Sequence, residues 1–268
     1  MIYGALLGDI IGSVRELHNE KTEDIILFPQ GSHFTDDSVM TIAIADKLVH
    51  DEKISCSNKK AYAMWYKQYY RRFPYAGYGQ MFSAWANKES LSIQRSYGNG
   101  GAMRVTALGY ACKDLETLWR EIDDSCYYTH NDREAKIGAK AIGTAVFMAN
   151  KQEDKDSIKK YIEKQFKYRF HELDEIRENY KFDSRTSYCV PPALEAFFES
   201  TSYETAVRKA ISIGGDSDTI ACMTGGIAEA YYKKIPDELL SEGSRFIDSG
   251  FKKVINDFAE KYGNGIIG

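Results

Sequence analysis

Apolar residues along this chain recur at helical spacing and almost nowhere with the alternation of a strand. Between Asp36 and His50 the positions Val39, Met40, Ile42, Ala43, Ile44 and Leu48 are too many for one narrow stripe, which predicts a nearly buried helix. From Asn131 to Asn150, Ile137, Ala141, Ala145 and Met148 follow at steps of three or four residues. Thr219 to Tyr232 reads as another apolar helix, with Gly225 and Gly226 inside it. Glycine costs helix stability there, so close helix packing or close ligand approach is the expected reason. Ser57 to Phe73, Pro191 to Glu199 and Glu204 to Ser212 complete the predicted helices, and Pro29, Pro74 and Pro236 fall between the runs. The expected fold is all-α, a compact helical bundle in a single domain. Lys151 to Lys181 is a mixed charge run, read as a solvated pair of surface helices.

Composition narrows the function. The 268 residues are 43% apolar and 28% charged, ordinary for a globular chain. A chain of this size buries roughly three quarters of its unfolded surface and needs no disulfide or metal staple. Thirty-five basic against 39 acidic residues give a formal charge of −4, so no broad basic field serves nucleic acid, which enters only as a modified substrate. The five cysteines, Cys56, Cys112, Cys126, Cys189 and Cys222, are far apart and form no CxxC pair. They read as reduced thiols of a cytoplasmic protein. No apolar run approaches the roughly 20 residues of a membrane helix. The apolar start, Met1 to Val14, lacks a basic leader and is interrupted by Asp9, unlike a signal peptide.

Five local clusters carry candidate chemistry. Phe34-Thr35-Asp36-Asp37-Ser38 opens a buried helix, with Thr35 suited to the N-cap and two carboxylates in the first turn. Many helices begin this way. A second cluster, Ile213-Gly214-Gly215-Asp216-Ser217-Asp218-Thr219, also opens an apolar helix, roughly 180 residues later. If the two helix starts converge, four carboxylates and two threonine hydroxyls make an all-oxygen cage for Mg²⁺ or Mn²⁺, less readily Ca²⁺. Without a cation such carboxylates repel and their pKa values rise. The glycine-rich Ser96-Tyr97-Gly98-Asn99-Gly100-Gly101-Ala102-Met103-Arg104 is either a phosphate cradle of exposed amides or a plain turn. Tyr97 either stacks on an adenine or packs internally. His130, ahead of the Asn131 helix, is either a neutral hydrogen-bonding group or a surface cap. Last, the glycines of Gly4-Ala5-Leu6-Leu7-Gly8-Asp9-Ile10-Ile11-Gly12 suit a tightly packed helix. Asp9 within it reads as a buried hydrogen-bonded group, and Glu16 just beyond as either a cleft carboxylate or an exposed acid.

In their order along the chain the five blocks resemble the ADP-ribosylglycohydrolase family, which includes dinitrogenase-reductase-activating glycohydrolases and eukaryotic ADP-ribosylhydrolases. The likeness runs from about Gly4 to Tyr232 and is most specific in FTDDS together with GGDSDT. It implies one domain over residues 1–268, with 151–181 as a charged surface segment, and a central cleft holding two Mg²⁺ or Mn²⁺ ions. Thr35, Asp36, Asp37, Asp216, Asp218 and Thr219 would be the metal ligands, and Glu16, Asp36 and Asp37 the catalytic acids. Ser96, Tyr97, Gly98, Asn99, Gly100 and Gly101 would hold the diphosphate and adenosine, with His130 assisting. Relatives can carry an aromatic just upstream of the glycine-rich loop to sandwich the adenine; here Leu91 and Ile93 stand nearby instead. The implied activity is metal-dependent cleavage of ADP-ribose from a modified arginine or serine of a protein, or from an ADP-ribose-containing small molecule. Two other classes remain at this point, a non-catalytic ADP-ribose-binding module and a Mg²⁺-dependent helical enzyme acting on a pyrophosphate or prenyl diphosphate. The latter lacks its DDxxD spacing.

Overall fold

Helix α1 (Tyr3–Gly12) lies against α12 (Ser217–Tyr232), and this contact is the most extensive in the structure. Glycines make it possible. A Cβ on Gly8 would come within 2.1 Å of the Ala221 carbonyl oxygen, one on Gly225 within 2.2 Å of the Gly4 oxygen, and one on Gly12 within 2.4 Å of Asp218 Cα. Gly226 likewise faces the Thr106 hydroxyl at 2.4 Å. Helix packing, then, is why Gly225 and Gly226 sit inside a helix.

The structure, a computed structural model, describes residues 1–16, 18–51 and 56–263. Its fourteen α-helices among the described residues also include α2 (Asp36–Val49), α3 (Asn58–Arg72), α4 (Gln80–Ala86), α5 (Thr106–Ala111), α6 (Leu115–Cys126) and α7 (Arg133–Asn150). They continue through α8 (Lys155–Phe166), α9 (Leu173–Asn179), α10 (Thr186–Phe198), α11 (Tyr203–Ser212), α13 (Asp237–Gly243) and α14 (Ser249–Tyr262). The described residues form only isolated β-bridges, Arg95 with His130 and Gly98 with Arg185. Helix α12 is the hub: α1, α7, α10 and α11 surround it, and Ser217 to Ala230 are all buried. None of the described helices is long and apolar enough to cross a membrane.

Two features differ from expectation. Helix α10 begins at Thr186 rather than Pro191, so Pro191 and Pro192 lie inside it. Proline leaves the carbonyl four residues earlier without its helical donor. For Pro192 that carbonyl is Tyr188 O, which accepts the Tyr180 hydroxyl at 3.2 Å. The charged segment is indeed a helix pair, α8 and α9, yet its lysines are not all solvated. Lys159 turns inward to the buried Glu195 at 2.9 Å, and the Lys155 ammonium donates to Phe197 O at 2.7 Å, beside the Ser200 carbonyl. Another inward lysine, Lys67, donates to the Trp85 carbonyl at 3.0 Å and to that of Lys88. It thereby pins the chain that leads from α4 to the glycine-rich segment.

Substituting Gly8 with Ala forces the α1–α12 pair apart and is expected to destabilise the fold by about 1–3 kcal/mol. The urea midpoint reads this directly, and an unchanged midpoint would mean the helices tolerate separation.

Candidate functional site

Helices α2 and α12 start at the same place. Thr35 caps α2, its hydroxyl accepting from the Asp37 amide, and Asp36 and Asp37 occupy the first turn. Gly214 and Gly215 precede α12 with φ of +71° and +69°, a left-handed conformation that side chains resist. Asn19 closes this turn, its Oδ1 accepting from the Gly215 amide at 3.0 Å. The positive ends of two helix dipoles therefore meet where the carboxylates stand.

The structure brings Asp37, Asp216 and Asp218 together and adds Asp9 and Glu16. Carboxylate oxygens of Asp9, Asp37 and Asp218 lie within 4.8 Å of one another, as do those of Glu16, Asp216 and Asp218. Asp218 belongs to both groups. Glu16 is half-buried, so the exposed-acid alternative does not hold. Asp36 stands half-buried beside the cluster, in neither trio, with the Gly77 backbone close to its Oδ1.

Asp9 was expected as a buried hydrogen-bonded group. It is that, accepting from Thr35 N at 2.9 Å, Thr35 Oγ1 at 2.7 Å and Ser38 N at 3.1 Å, and also from the Ser38 hydroxyl. Its place in the acid cluster was not read from the sequence. The available signal was a charged residue in the middle of an otherwise apolar helix. Thr219 donates its hydroxyl to Asp37 Oδ2 at 3.2 Å, and the other oxygen, Asp37 Oδ1, is buried with no hydrogen-bond partner.

The electrostatics follow. Burial first, then the Asp218 charge, raises the carboxyl pKa of Asp36, Asp37 and Asp216 well above the usual range. The same causes, in the same order, push Asp9 up to about 7 and raise Glu16. Among the described residues no lysine, arginine or histidine pairs with any of these acids. Oxygen donors without histidine or cysteine, an orphaned buried carboxylate oxygen and mutual repulsion all fit a hard divalent cation.

The glycine-rich segment is braced rather than open. The Asn99 amide donates to Ser184 O at 2.8 Å, and the Gly98 amide to Ser96 Oγ at 3.1 Å. Thr186, at the start of α10, donates its hydroxyl to the Gly98 carbonyl at 2.7 Å. None of Gly98, Gly100 and Gly101 adopts positive φ. Gly100 and Gly101 are small because His130 lies on them: its ring Nε2 is 2.9 Å from where a Gly100 Cβ would be, and its own Cβ is 3.2 Å from where a Gly101 Cβ would be. Consecutive free amides are therefore not what this segment offers at Gly98 and Asn99. The Asn99 side chain instead donates to Asp216 Oδ2 at 2.7 Å, tying the loop to the acid cluster. Tyr97 is 56% exposed, which removes the internal-packing alternative. His130 is buried, not a surface cap; Asp132 caps α7.

The model of the ADP-ribosylglycohydrolase family matches residues 1–266. Among curated proteins, the ADP-ribosylhydrolase ARH3 of Mus musculus is 25% identical, over 87% of this chain and 84% of that protein. The ARH3 of Homo sapiens is 24% identical, over 85% and 83%. The ADP-ribosylarginine hydrolase Tri1 of Pseudomonas putida (strain GB-1) is 24% identical, over 86% and 69%. A solved structure described as an ADP-ribosylglycohydrolase-related protein complex shares the fold, with a TM-score of 0.71 at 20% identity, over 97% of this chain and 95% of the other.

A carboxyl whose folded pKa lies above its unfolded value stabilises the fold fully below the unfolded value, 3.8 for these aspartates. That contribution is lost as pH rises through the folded value, about 7 for Asp9. The increase in melting temperature on adding MgCl₂ or MnCl₂ is therefore expected to be small near pH 4 and to grow as pH passes about 7. A thermal-shift series across pH checks this; a cation effect independent of pH would contradict it.

Proposed function

This chain belongs to the ADP-ribosylglycohydrolase family, and on that footing we propose that it cleaves the glycosidic bond between ADP-ribose and a modified arginine or serine side chain, releasing ADP-ribose. The observation that carries the proposal is the meeting of Asp37, from one helix start, with Asp218, from another, where Asp218 also meets Asp216 and a buried Asp37 oxygen has no hydrogen-bond partner. Family membership makes the chain an ADP-ribosylglycohydrolase enzyme. Its acceptor, metal and residue roles are the proposal.

We assign Thr35, Asp36, Asp37, Asp216, Asp218 and Thr219 to holding two Mg²⁺ or Mn²⁺ ions. When bound, such ions supply positive charge that grips vicinal ribose hydroxyls and lowers the pKa of water. Asp9 keeps Thr35 and Ser38 in place and adds its charge to the same point. Thr35 and Thr219 direct their hydroxyl protons at Asp9 and Asp37, leaving oxygen lone pairs available to a cation.

Breaking the glycosidic bond builds positive charge on the ribose ring. The surrounding carboxylates favour that charge in a site shielded from water. Glu16 stands within the cluster and Asp36 beside it, and burial followed by the Asp218 charge raises both carboxyl pKa values, which favours a proton-carrying role. Between them, one activates water and the other protonates the leaving group. Ser96, Gly98, Gly100, Gly101 and His130 serve the diphosphate, and the exposed Tyr97 ring stacks on the adenine. Asn99 serves indirectly, by holding Asp216. The substrate is an ADP-ribosylated protein or an ADP-ribose-containing small molecule, handled within one domain. Free thiols at all five cysteines support a reducing compartment such as the cytoplasm.

Replacing both Asp36 and Asp37 with Ala is expected to abolish divalent-cation binding and to slow ADP-ribose release by more than about 100-fold. Mass spectrometry of products from Arg-linked, Ser-linked and nucleotide-linked ADP-ribose, with and without chelator, measures this and identifies the acceptor. Full turnover by the double variant would sink the proposal, and inorganic pyrophosphate or AMP as product would replace it.

A further inference from the structure

Arg104 closes the glycine-rich segment, yet its guanidinium is nowhere near the surface. The residue is fully buried and pairs with no carboxylate among the described residues. Burying an uncompensated cation is costly, so its remaining contacts say what it is for. The guanidinium lies 4.1 Å from the Tyr66 ring centroid, and Nη2 donates to Ser125 O at 3.0 Å and to Thr129 Oγ1 at 2.9 Å. Thr129 Oγ1 in turn lies 3.0 Å from His130 Nδ1.

We infer that Arg104 and Thr129 act as positioning residues that lock the His130 ring in its Nε2–H tautomer, so that it donates to an anionic oxygen of the ADP-ribose diphosphate at the Gly98–Gly101 segment. A guanidinium only donates, so Thr129 Oγ1 accepts from Arg104 and keeps one proton to give. His130 Nδ1 is the acceptor within reach of that proton. If Nδ1 carried hydrogen instead, the Thr129 hydroxyl would be buried with no acceptor for its proton. Nε2 then carries the ring hydrogen. It faces Gly100, 2.9 Å from the position a Cβ would take, and has no hydrogen-bond partner among the described residues although the ring is only 7% exposed. Burial, then the Arg104 charge, holds the imidazole pKa well below its ordinary value, so the ring is neutral and needs no counter-ion. The same buried Arg104 charge attracts the diphosphate through a medium with little screening.

The inference rests on the glycohydrolase reading for its ligand but not for its geometry, and the test separates the two. The ¹⁵N shifts of the His130 ring in the ligand-free, full-length protein at neutral pH are expected to show Nε2 protonated and Nδ1 bare. A protonated Nδ1, or a doubly protonated ring, overturns the relay without any variant. In Thr129→Val, ADP-ribose affinity by calorimetry is expected to fall about tenfold. KM should rise more than kcat falls, because a diphosphate contact acts equally in ground and transition states. Thr129→Ser should restore both tautomer and affinity. Unchanged affinity in Thr129→Val overturns the donor role. Wild-type protein that shows the Nε2–H tautomer but binds no ADP-ribose overturns both the donor role and the glycohydrolase reading, while the locked ring stands.

Discussion

Negative charge gathered away from water, with no basic side chain among the described residues to offset it, is the constraint on which the architecture depends. Asp9, Asp37, Asp216 and Asp218 are all buried; oxygens of Asp9 and Asp37 meet that of Asp218, and Asp218 also meets Asp216 and Glu16, each group within 4.8 Å. Two helix N-termini and a shell of threonine and serine donors soften the repulsion, yet burial, and after it the Asp218 charge, still raises the carboxyl pKa values. A group of acids in this condition is stable either protonated or around a cation. That choice couples the fold to the chemistry, because the atoms that repel in the free protein are those that a divalent ion would gather.

Small residues hold the arrangement together. Gly4, Gly8 and Gly12 let α1 press onto α12, and Gly12 in particular seats the end of α1 against the backbone of Asp218. Asp9 is thus delivered to the cluster by a helix that could not approach if its glycines carried side chains. The loop after α1 is fastened at both flanks of Glu16. Arg15 donates to Glu20 at 2.8 Å, and Lys21 reaches the carbonyls of Tyr180 and Ile213. The glutamate therefore projects from a segment tied to the same turn that starts α12.

The glycine-rich segment is equally fixed. Ser184 and Thr186 hold the glycine-rich segment from one direction, and Asn99 links it to Asp216 from another. Movement of the segment would displace a carboxylate of the cluster. The proposed diphosphate site and the aligned acids are in this way parts of one hydrogen-bonded frame, with the buried Arg104 and His130 behind it.

The sequence by itself determined the helical class, the limits of α2, α3, α7, α11 and α12 to within two residues, and the residues of both acidic helix starts, because helical periodicity, N-cap chemistry and glycine placement are local properties. It also marked the glycine-rich segment and Glu16. Tertiary structure alone decided that Asp9 joins Asp37 and Asp218, since a lone acid in an apolar helix looks the same whether it faces a threonine or a cluster of carboxylates. It decided that Asn99 serves Asp216, that Gly100 and Gly101 make room for His130, and that His130 is buried. It also placed Pro191 and Pro192 inside α10, where Tyr180 satisfies a carbonyl that local rules leave stranded. All but the last of these depend on partners tens to hundreds of residues away, and no local pattern encodes which distant group will occupy the space beside a side chain.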